Sequence, residues 1–99
     1  MSTAPDKQVP ETRGVIHIEC RKRGNEPSEY LLSFGGDKDG VGVFYLAQVT
    51  GFDPLTALLR KLGVSGSDIA SALHVLMAEP RHKIPNALLT QAMLRDLGL

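Results

Sequence analysis

The sequence has a single cysteine, no tryptophan, no excess charge of either sign and no long apolar run. Cys20 stands alone, which excludes an intramolecular disulfide and fits a reducing compartment. No stretch approaches the run of about eighteen apolar residues that a membrane-spanning helix needs, and no cationic segment followed by an apolar one opens the chain. A cytoplasmic protein with no membrane partner is therefore expected. Eleven basic residues balance eleven acidic ones. That balance argues against the basic footprint of a protein that coats nucleic acid, and against an acidic scaffold. At 99 residues the chain is too short for two lobes with a cleft between them. A domain of this size buries only about 60–65% of its unfolded surface, so a partner or a second copy would help to stabilise it.

Residues 1–14 hold Pro5, Pro10 and four charges that cancel, with few apolar positions, and read as a flexible tail. From Val15 apolar and polar residues alternate: Ile16, Ile18 and Cys20 against His17, Glu19 and Arg21. This is a half-buried strand. A turn around Gly24–Ser28 leads to a second alternating run at Tyr30, Leu32 and Phe34, and Gly35–Gly40 supplies a hairpin loop. A third strand, Val41–Val49, is apolar on both sides, with Val41, Val43, Tyr45, Ala47 and Val49 on one and Phe44 and Leu46 on the other. Such a strand is either central in its sheet or covered by another chain.

After Thr50 the apolar period lengthens to that of a helix. Asp53-Pro54 reads as an N-cap followed by proline, Leu55, Leu58, Leu59 and Leu62 share one face, and Gly63 ends the helix. A second helix opens near Ser65 or Ser67, buries Ile69, Ala72, Leu73, Leu76 and Met77, and ends by Pro80. A third begins around Pro85-Asn86 and presents Leu89, Ala92, Met93 and Leu97 at helical spacing. The order predicts one α+β domain over residues 15–99: a three-stranded antiparallel sheet followed by three helices packed on one of its faces.

No catalytic constellation emerges. His17 and Cys20 are an odd number of positions apart on one strand and point to opposite faces, so they cannot act as base and nucleophile. Cys20 reads as a buried structural thiol. Asp68, Ser71 and His74 share a helical stripe, but Ser71 lies in the middle and His74 is roughly 9 Å along the axis from Asp68. His17, His74 and His82 fall on different elements without metal-ligand spacing, and Asp37-Lys38-Asp39-Gly40 lacks the partner positions of a calcium loop. No phosphate-cradling glycine loop precedes a helix. No enzyme, metal site or cofactor is expected.

Residues 55–74, LTALLRKLGVSGSDIASALH, carry Leu58, Leu62, Gly63, Val64 and Ile69 at the offsets of a tight helical hairpin. Glycine takes the left-handed turn, Val64 plugs the corner and Ile69 packs back on the first helix. This segment resembles the bacterial helix-turn-helix motif. The resemblance implies a DNA-binding regulator, with Arg60 and Lys61 on the backbone, Ser65, Ser67 and Ser71 at phosphates or base edges, and Arg81, His82 and Lys83 gripping from the following loop.

The residues themselves favour a different function: a small non-enzymatic protein-interaction module, such as an adaptor, inhibitor or regulatory subunit. It would form a homodimer or hold a partner protein through its sheet. The apolar third strand motivates this reading, and the expected contact residues are Tyr30, Leu31, Val43 and Tyr45.

Overall fold

A computed structural model describes residues 11–22, 24–35 and 44–98. Strand β1 (Glu11–Arg21) pairs antiparallel with β2 (Glu29–Gly35), which pairs antiparallel with β3 (Phe44–Thr50). Helices α1 (Phe52–Lys61) and α2 (Gly66–Leu76) follow, then strand β4 (Arg81–Thr90) and a short α3 (Gln91–Asp96). The sheet order is β3-β2-β1-β4. The expected three-stranded sheet is thus corrected to four strands, because Arg81–Thr90 pairs with the side of β1 that β2 leaves open. Of the expected third helix only its second half is helical. Strand β1 starts at Glu11, four residues before Val15, while residues 1–10 of the expected tail lie outside the described residues, as do 36–43 with most of the expected hairpin loop.

The register shows where β4 departs from regular alternation. Ile84 lies opposite Ile16, and Ala87 lies opposite Gly14, so three steps on β4 match two on β1. One extra residue is accommodated there as a β-bulge. Asn86 takes the left-handed conformation, with φ of 58°, which asparagine tolerates better than most side chains. The buried positions Ile84, Ala87 and Leu89 therefore start with a spacing of three, the step expected of a helix.

A second bulge accounts for the two-sided pattern of β3. Ser33 lies opposite Tyr45, and Leu32 lies opposite Ala47, which leaves Leu46 as the extra residue. Leu46 is 2% exposed, and Ala47 and Val49 pack against the same core. Apolar residues that a regular strand would divide between two faces are thereby gathered on one. β3 is an edge strand, not a central one.

The helices cover one face only. Leu55, Leu58, Leu59 and Leu62 of α1 and its C-terminus, with Ile69, Ala72 and Leu76 of α2, form one cluster with Ile16, Ile18, Tyr30, Leu32, Phe34, Leu46, Ile84, Ala87 and Leu89 of the sheet. Met93, Leu94 and Leu97 add α3 to the same side. Helix α1 is capped by Gly51, not Asp53, so Asp53 falls in its first turn and favours the positive end of the helix. Gly63 turns out of α1 with φ of 79°, as expected, and its N–H donates to the carbonyl of Arg60. Ser65 caps α2 by accepting from the Asp68 N–H at 3.2 Å. Thr90 caps α3 in the same way, accepting from the Met93 N–H at 3.1 Å.

Candidate interaction surface

The strand register assigns each sheet residue to a face, since antiparallel partners project to the same side. On the side away from the core cluster lie Val15, His17 and Glu19 of β1, Leu31 and Ser33 of β2, Tyr45 and Gln48 of β3, and Arg81, Lys83 and Leu88 of β4. Leu31 and Leu88 are half-buried, and Tyr45 is 54% exposed. Val15 and His17 are buried within this face, although neither belongs to the core cluster. The face is a mixed one, with small apolar patches between charges. Arg21 and Glu19 form a loose, exposed pair at 3.8 Å, of little energetic weight.

The expected contact residues separate. Leu31 and Tyr45 share the open face, with Gln48 opposite Leu31 and Ser33 opposite Tyr45. Tyr30 does not join them: it is 4% exposed on the helix-covered face, and its ring meets that of Phe52 with centroids 5.6 Å apart. Burial raises the Tyr30 hydroxyl's pKa, and the neighbouring Cys20 thiol adds to this, while a hydrogen bond with Ser28 works against it. Tyr30 is a core residue with a satisfied hydroxyl. Val43 lies outside the described residues.

Two exposed large apolar residues among those described were not in the expected contact set. Phe44 is 41% exposed at the start of β3, and Met77 is 72% exposed at the C-cap of α2. Periodicity put Met77 on the buried face of its helix. It lies one step past the last buried residue, Leu76, where the helix ends. For Phe44 the signal was present in the sequence as an aromatic on the face opposite Tyr45. Phe34 is its partner on β2, so Phe44 faces the helix side from the sheet margin. Near α2, a groove of about 400 Å³ lined by Lys22, Ser28, Tyr30, Gly51, Phe52, Leu76 and Met77 opens where the sheet end meets the helices.

The expected nucleic-acid set divides between two sides of the molecule. Arg60 and Lys61 are exposed in the last turn of α1, and Ser65, Ser67 and Ser71 are exposed on α2. The Ser65 hydroxyl is engaged as the cap and lies 3.3 Å from that of Ser67. Arg81 and Lys83 belong to a strand, not a loop, and pair opposite Glu19 and His17 on the face turned away from both helices. His82 alternates with them and lies opposite Ile18 on the helix side, where partial burial lowers its pKa and Asp68 opposes that shift. The exposed residues of α2 are Gly66, Ser67, Asp68, Ala70, Ser71 and His74, with no arginine, lysine, asparagine or glutamine among them.

Chemical groups elsewhere are dispersed. Asp68, Ser71 and His74 are all exposed along α2. Cys20 is half-buried against the core, and its backbone N–H donates to the Pro80 carbonyl at 2.7 Å. Among the described residues no three histidine, cysteine or acidic side chains gather as metal ligands, and no helix is long and apolar enough to cross a membrane. Comparison with protein families, curated proteins and solved structures finds no match to this chain.

Proposed function

We propose that this chain is a non-enzymatic protein-interaction module whose contact surface is the β3 edge of its sheet together with the adjoining open face. The carrying observation is the exposure of Phe44 and Tyr45 on an edge strand, FYLAQVT, that contains no charged residue. An edge strand offers unpaired backbone groups to a strand from another chain, and exposed aromatics beside it supply affinity. Leu31, next to this edge on the open face, extends the contact.

The alternative function, duplex DNA binding through residues 55–74, draws on the α1–α2 hairpin with its left-handed Gly63 and the cations Arg60 and Lys61. One experiment separates the two. The full chain, immobilised, is exposed to lysate of its source cell with and without nuclease, beside a Phe44→Ser/Tyr45→Ser variant and an Arg60→Ala/Lys61→Ala variant. The module predicts retention of a protein that survives nuclease, is lost with the aromatic pair and is unchanged without the two cations. DNA binding predicts retained duplex, released as salt rises and lost in the Arg60→Ala/Lys61→Ala variant. Retention that depends on nuclease or on the cations overturns the module.

A further inference from the structure

We draw no further inference here: the strongest candidate, the uncharged β3 edge of the sheet with Phe44 and Tyr45 exposed at its margin, belongs to the surface already described, and nothing in the structure shows what covers it.

Discussion

At the scale of single residues, His82 links the fold to pH. It sits opposite Ile18 on the helix-covered face, and partial burial disfavours its charged form. Its pKa in the folded protein is therefore below the ordinary imidazole value, even though Asp68 in the first turn of α2 pulls in the other direction. In the window below the unfolded value, the unfolded chain binds more protons than the folded one, so stability falls as pH falls. Thermal melts between about pH 7.5 and 5.5 span that window and stop above the ordinary carboxylate range. The wild type is expected to lose melting temperature on acidification across it. His82→Gln should flatten the profile, and Asp68→Asn, which removes the charge that eases protonation, should steepen it. A His82→Gln profile as steep as wild type would show that another group controls this range.

At the scale of elements, the readable parts of the sequence are those whose period is unbroken. β1 and β2 alternate without interruption, and α1 and α2 carry the apolar spacing, left-handed glycine and serine cap of a helical pair. The sequence misleads in the two places where a bulge resets the phase. Leu46 moves Ala47 and Val49 onto the same side as itself, so an edge strand reads as apolar on both faces and therefore central. Leu89, the last buried residue of β4, stands three and four positions before Ala92 and Met93, so the helical spacing of α3 reads back into a strand whose own alternation the bulge at Asn86 breaks. A bulge depends on its partner strand, and pattern within one segment does not contain it. The candidate site errs for other reasons: the expected contact set joins Tyr30 to Tyr45 although Tyr30 alternates with Leu32 and Phe34 and the core holds it, and Arg81 and Lys83 are expected in a loop when they alternate on a strand and turn to the far face. The bulge makes its own prediction. Asn86→Gly keeps the positive φ and is expected to be nearly neutral, whereas Asn86→Val forces a β-branched residue into the left-handed region at a cost of about 1–2 kcal/mol. In a domain of this size that is a fall of roughly 4–16 °C in Tm, readable by calorimetry. Equal melting of the two variants would refute a left-handed Asn86.

At the scale of the molecule, the sheet is closed by the last part of the chain. β4 brings Ile84, Ala87 and Leu89 onto β1 from about seventy positions away in sequence, and α3 follows with Met93, Leu94 and Leu97. Burying a side chain the size of Ile84 or Leu89 contributes about 1.5–3 kcal/mol. Total stability of a domain this small is about 5–15 kcal/mol. Removing everything after Pro80 deletes several such contributions together and also uncovers Ile16 and Ile18, which are each 1% exposed in the full domain. It turns β1 into a new, unprotected edge beside apolar surface. A chain ending at Pro80 is therefore expected to lack a cooperative thermal transition, to bind an apolar-surface dye and to associate without a defined stoichiometry. The three-stranded sheet with two helices that this truncation leaves is close to the arrangement the alternating pattern alone suggests. A cooperative melt from it would show that β1, β2, β3, α1 and α2 suffice as a folding unit and that β4 is an accessory edge. If instead cooperativity is lost, β4 is what completes the domain, and it leaves β3 as the margin open to another strand.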